Sequence, residues 1–149
     1  MAGYGQTGAR ALRAGHGINY LGYAGVLNHT GERGGAPALA NLQISDLLGG
    51  AATAAIGILG ALLGAQRSGR GRYVDVAMAD AVLAHQIFAL GSLEDAGHVA
   101  ARGEDLLTGG VPCYGVYGTR DRGWRAVGAL ASKFWHALCE PLGRPAPVP

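Results

Sequence analysis

Arg72-Tyr73-Val74-Asp75-Val76-Ala77-Met78 decides the fold class. Its β-branched residues alternate with others as a half-buried strand requires. Upstream, Ser45-Asp46 opens a long apolar segment that ends near Ser68-Gly69, and downstream Ala79 to Leu93 returns to helical spacing. A helix, a strand and a second helix in succession predict an α/β fold.

Working outward, residues 3–41 are turn-rich, with a short helix or extended stretch around Ile18 to Leu27 and a loop at Gly31 to Pro37. Ser45 and Asp46 suit a helix start, because their side-chain oxygens can accept from free backbone N–H groups. On the other side, charge density rises and periodicity fades from Glu94 to Gly110, which predicts a linker or surface loop. Cys113 to Gly118 and Trp124 to Ala129 then read as two strands joined by a turn at Thr119-Arg120-Asp121-Arg122-Gly123. A helix follows from Ser132 to Leu142, and Gly143 to Pro149 form a breaker-rich tail. The change of texture puts a domain boundary near residue 95, separating 1–94 from 95–149.

The 149 residues are 49% hydrophobic and only 15% charged, which excludes disorder and allows a real core. Twenty-seven glycines with 7% aromatics favour close backbone packing over an interaction module built on aromatic anchors. The net charge of +2 comes almost wholly from arginine, and the basic residues are scattered. The nearest cluster, Arg67 to Arg72, is explained by a helix C-terminus, so no nucleic-acid partner is expected. Cys113 and Cys139 are too few for a disulfide framework or a zinc site; reduced thiols and no bound metal are expected. The first residues carry no basic and apolar export pattern, and the expected location is cytoplasmic.

Leu47 to Gln66 runs without a charge and approaches the ~20 apolar residues of a membrane span, with Gly60 and Gly64 at small-xxx-small spacing. Many positions are Ala, Gly and Thr, and no aromatic belt flanks them. A fully buried core helix, thinned by small residues so that neighbours approach closely, is the expectation, with no membrane partner.

Among the chemistry-bearing residues, His16 in Gly15-His16-Gly17 and Asp46 in Ser45-Asp46-Leu47 stand at the edges of glycine-rich structure. Both can take up and return a proton, which makes them a candidate proton-transfer pair. Taken alone, a histidine between glycines is a turn residue and an aspartate before a helix is a cap. Asp75 and Asp80 read as structural, and His29, His85, His98 and His136 receive no role.

The runs Gly3-Tyr4-Gly5-Gln6-Thr7-Gly8, Gly15-His16-Gly17-Ile18-Asn19-Tyr20-Leu21, Asp46-Leu47-Leu48-Gly49-Gly50, Gly69-Arg70-Gly71-Arg72-Tyr73-Val74-Asp75-Val76 and Gly110-Val111-Pro112-Cys113-Tyr114 occur in order. Together they resemble the class III CoA-transferase family (CaiB/BaiF type), and within it the α-methylacyl-CoA racemases, over nearly the whole chain. The resemblance implies part of a large α/β domain plus the start of a small domain. It also implies that the chain is an internal fragment of a protein forming an interlocked homodimer, with active sites between the large domain of one subunit and the small domain of the other.

For function, the resemblance implies epimerisation of the α-carbon of 2-methylacyl-CoA thioesters in lipid metabolism. His16 and Asp46 would face opposite sides of that carbon, one removing the proton and the other returning one through an enolate. The Gly17 backbone would donate to the thioester oxygen, and Tyr20 and Asn41 would line the coenzyme channel. Coenzyme A enters as the substrate's thioester; no covalently bound cofactor is implied.

Two positions depart from the family pattern. The residue after the histidine is usually an acid, where this chain has Gly17. The usual Gly-Ala-Leu-Glu-Pro-Lys-Phe-Trp is here Gly128-Ala129-Leu130-Ala131-Ser132-Lys133-Phe134-Trp135, so Ala131 replaces the glutamate that orients the histidine. The alternatives are a CoA-transferase in which Asp46 forms an acyl anhydride, and an inactive truncated remnant.

Overall fold

In the computed structural model, which describes residues 1–145, the first helix begins where the backbone turns at His16. His16 is extended (φ −121°, ψ 174°), and its N–H donates to Asn19 Oδ1 at 2.9 Å, the backward half of a capping box. Helix α1 (Gly17–Tyr23) and the single turn α2 (Val26–His29) follow. Together they realise the short helical stretch expected around Ile18 to Leu27.

Next comes a π-helical segment (Ser45–Ala52) that runs unbroken into α3 (Thr53–Ser68). Its wide turns are marked by the Thr53 backbone N–H donating to Leu48 O, five residues back, a carbonyl to which the Thr53 hydroxyl also donates at 2.8 Å. The cap position is Ile44, already helical at φ −56° and ψ −47°, so Ser45 and Asp46 fall inside the first turn and make no cap bond. Their expected capping role is therefore not realised.

Close packing explains the glycines here. A Cβ on Gly49 would stand 2.7 Å from Val82 Cγ2 and 2.9 Å from Met78 O, both on α4 (Met78–Ala84). Only a residue without a side chain lets the two helices approach this far. Val82 (2% exposed), Ala79, Val76, Tyr20 and Ser45 form the small core around this contact.

The expectation of a fully buried α3 is overturned. Ile56 is 71% exposed and Leu59 66%, and Ile58, Leu62 and Leu63 are exposed as well. Gly57, whose Cβ would meet Val74 Cγ1 at 2.9 Å, marks where the neighbouring chain touches it. Beyond that point the described residues supply no further layer. Ser45–Ser68 is long and apolar enough to cross a membrane by length and composition alone.

The expected strand at Arg72 to Met78 is likewise not a strand. It is extended, but its ladder is one isolated parallel bridge, Ala2 with Ala77. Ala2 N–H donates to Val76 O at 2.8 Å and Met78 N–H to Ala2 O at 2.9 Å. The alternation survives as burial, with Val76 inside and Tyr73 out, while sheet formation requires partner strands along the whole segment.

The expected helix Ala79 to Leu93 is divided into α4 and α5 (Ile87–Ala96) at Gln86 (φ −83°, ψ 52°), whose side-chain amide donates to Ala24 O. Helix α5 continues three residues beyond Leu93, into the stretch expected to be linker.

The chain folds as two compact units, one of Met1–Thr30 with Pro37–Val99, the other of Gly31–Ala36 with the residues from Ala100 onward. In the second unit β1 (Tyr114–Gly118) pairs antiparallel with β2 (Trp124–Gly128), in register Val116 with Ala126. The turn between them falls where it was expected, closed by Thr119 N–H to Gly123 O at 2.9 Å. Helix α6 (Ser132–Cys139) ends three residues before the expected Leu142 and gives way to turns. Cys113 and Cys139 are free and buried. The outer part of the breaker-rich tail, residues 146–149, lies outside the described residues.

Gly31–Ala36 is pinned inside this unit by two arginines. Arg33 donates to Gly103 O at 3.4 Å and lies 3.7 Å from Glu104 Oε1, while Arg102 donates to Gly35 O.

Candidate active site

Gly17 locates the site. Were it to carry a Cβ, that atom would stand 2.7 Å from Asp46 Oδ2 and 2.7 Å from Ser45 Oγ. The first turn of α1 and the first turn of the π-helical segment are therefore in direct contact, across a point where no side chain fits. His16 immediately precedes Gly17, so the two expected acid–base residues come to one corner of the first unit, each at the start of a helix. Both are exposed.

Asp46 and Gly17, the residue after His16, line a cleft of about 240 Å³ whose walls also include Leu21, Leu39, Leu42 and Gln43. The apolar residues come from α1 and from the loop before the π-helical segment. A larger cavity of about 770 Å³ lies along the hairpin of the second unit, lined among others by Tyr114, Val116, Trp124 and Glu32. It contains none of the expected site residues.

Ser45 is the residue that reasoning from the sequence missed. It is 1% exposed, and its hydroxyl donates to Asp46 Oδ2 at 3.2 Å. The sequence signal was there, a hydroxyl next to the candidate acid, but it was absorbed by the capping reading. Leu39 and Gln43 gave no signal, since their place on the cleft wall depends on how the loop folds back.

Tyr20 is buried rather than set in the cleft wall. Its hydroxyl donates to Gly15 O at 2.7 Å, and its ring meets Tyr4 edge-on with centroids 5.0 Å apart. It thus holds the turn that presents His16. Asn41 is exposed, between Ala40 and Leu42, which do line the cleft. Gly17 contributes its backbone: as the first residue of α1, its N–H has no intrahelical acceptor. Ala131 belongs to the second unit, immediately before α6.

Burial raises the Tyr20 phenol above its ordinary pKa, with smaller contributions from Tyr4 and from the Asp46 charge. The fold therefore favours the neutral phenol. Its contribution to stability is complete below the unfolded value near ~10 and is lost as pH rises through the folded value. Tyr20→Phe is expected to cost about 1 kcal/mol at neutral pH, through the lost bond to Gly15 O. It is also expected to flatten the alkaline loss of stability, and urea titrations at pH 7 and above pH 10 check both. An unchanged midpoint at pH 7 would mean that the hydroxyl does not hold the His16 turn.

The family model for CoA-transferase family III matches residues 1–148. The chain is 35% identical over 143 residues to the alpha-methylacyl-CoA racemase of Homo sapiens, covering 96% of this chain and 37% of that protein. It is 32% identical over 145 residues to the succinyl-CoA–D-citramalate CoA-transferase of Chloroflexus aurantiacus, covering 97% of this chain and 36% of that protein. A CAIB/BAIF family protein of known structure from Brucella suis shares the fold, with a TM-score of 0.76 and 24% identity over 95% of this chain and 37% of that one. The chain thus spans little more than a third of the length of these relatives.

Proposed function

Because the chain belongs to CoA-transferase family III, we propose that His16 and Asp46 are the two bases of an α-carbon epimerisation of 2-methylacyl-CoA thioesters. The observation that carries this reading is the contact across Gly17, which brings His16 and Asp46 to neighbouring helix starts, with Asp46 on the wall of a partly apolar cleft. A single base would return the proton to the face it came from; two bases on opposite faces invert the centre. One removes the α-proton, the electron pair moves onto the thioester oxygen as an enolate, and the other protonates the opposite face. The Gly17 N–H donates to that oxygen as its charge develops. Tyr20 keeps the Gly15 carbonyl, and with it the His16 turn, in place, and Asn41, between the cleft-lining Ala40 and Leu42, would line the coenzyme channel. The same reading takes the protein as a cytoplasmic homodimer of lipid metabolism, with acyl-CoA as its substrate and no covalent cofactor.

A second reading is favoured by the similarity to a named CoA-transferase. In it, Asp46 attacks the thioester carbonyl, CoA leaves as the thiolate, and an acyl anhydride remains on the carboxylate.

The test is incubation of the chain with a 2-methylacyl-CoA in deuterated water. Label is expected at the α-carbon, and His16→Ala and Asp46→Ala are each expected to reduce its appearance at least about 100-fold. Label that persists in both variants would sink the two-base reading. A hydroxylamine-trappable acyl group on Asp46, without label, would establish the transferase instead.

A further inference from the structure

We propose that Ser45 is a positioning residue that holds the Asp46 carboxylate in its working rotamer. The inference rests on the reading of Asp46 as an acid–base group and deepens it.

A hydroxyl as buried as that of Ser45 must find an acceptor or bear the cost of desolvation. Its hydrogen bond goes to Asp46 Oδ2, at 3.2 Å. The bare Cα of Gly17 stands over the same hydrogen bond, where a Cβ would lie 2.7 Å from both the donor and the acceptor oxygen. One carboxylate oxygen is thus held by a donor and covered by the Gly17 backbone, while the residue as a whole remains exposed.

An exposed aspartate at the start of a helix would otherwise exchange among staggered rotamers, since nothing packs around it. A base must stand within hydrogen-bond reach of the proton it takes, and small displacements are expensive in rate. Ser45 supplies the restraint from the cleft wall, where it stands beside Asp46 with its side chain almost fully buried. Gly49 and Gly50, buried four and five residues further along, let the same segment press against α4 and Met78 and so keep Ser45 inside.

The experiment labels aspartate with ¹³C and reads the Asp46 side-chain torsion from carbon couplings in the full chain, with Asp46→Asn assigning the signal. The expected result is a single rotamer in the unsubstituted chain, averaging among rotamers in Ser45→Ala, and a return to one rotamer in Ser45→Thr. In Ser45→Ala the α-proton exchange is expected to lose about tenfold in kcat with KM unchanged, the effect of one hydrogen bond to a charged group.

A single unchanged rotamer in Ser45→Ala would overturn the proposal, as would averaging in the unsubstituted chain. The proton-transfer reading is scored separately, by whether the unsubstituted chain exchanges label at all, and the rotamer is read in either case.

Discussion

Gly17→Asp is expected to lose at least about 100-fold in α-proton exchange, because the new side chain occupies the space in which Asp46 Oδ2 and Ser45 Oγ now stand. Its Cβ would lie 2.7 Å from each, closer than any real contact, and both neighbours belong to a helix that cannot slide away. The carboxylate must leave its position, and a second negative charge then sits beside it. Stability is expected to fall by about 1–3 kcal/mol, the usual cost of adding bulk to a filled contact. Gly17→Ala carries the steric part alone and separates it from the charge. Full exchange activity in Gly17→Ala would mean that the position of Asp46 does not limit the reaction. The substitution also bears on the departure from the family pattern, in which an acid usually follows the histidine. Here Ser45 and Asp46 fill the room that such an acid would need.

The second large effect is on stability. Gly49→Val is expected to cost about 3 kcal/mol, toward the upper end for overpacking, since its Cβ would press on Val82 Cγ2 and on the Met78 carbonyl. The Val82 side chain is almost fully buried and the carbonyl is backbone, so neither has an easy way to yield. Thermal or urea unfolding measures the loss directly, and a change below about 0.5 kcal/mol, the range of ordinary surface substitutions, would contradict the close approach of the π-helical segment to α4. Because Ser45 is buried in the same segment, Asp46 rotamer averaging is expected in Gly49→Val as well.

Local pattern carried the hairpin and the reach of the long helix. Alternation from Tyr114 to Gly118 and from Trp124 to Gly128, with turn residues between, needs only neighbours in sequence, and so does the apolar run that ends at Ser68. Burial depends on what lies opposite. The leucines and isoleucines of α3 state that the helix suits an apolar environment, but its five large apolar side chains from Ile56 to Leu63 stand exposed. Arg72 to Met78 shows the same distinction for a strand, whose alternation is local while its ladder is not.

At the site, the residue types of His16 and Asp46 were legible, but their proximity was not. It depends on a π-helical register that apolar periodicity does not reveal and on the absent side chain of Gly17. Ser45 was hidden for the same reason, since one residue of shift at the helix start turns a cap into a buried donor.

The arginine pins of the second unit impose an order on synthesis. Chain that belongs to this unit emerges at Gly31–Ala36, yet its acceptor at Gly103 lies 70 residues later. At translation rates of about 5–20 residues per second, the early segment waits several seconds for its partner. Meanwhile Met1–Thr30 and Pro37–Val99 are complete and can pack with the six residues left looped out between them. Arg33 and Arg102 then close that loop, so the residues from Ala100 onward recruit a segment made 70 residues before them.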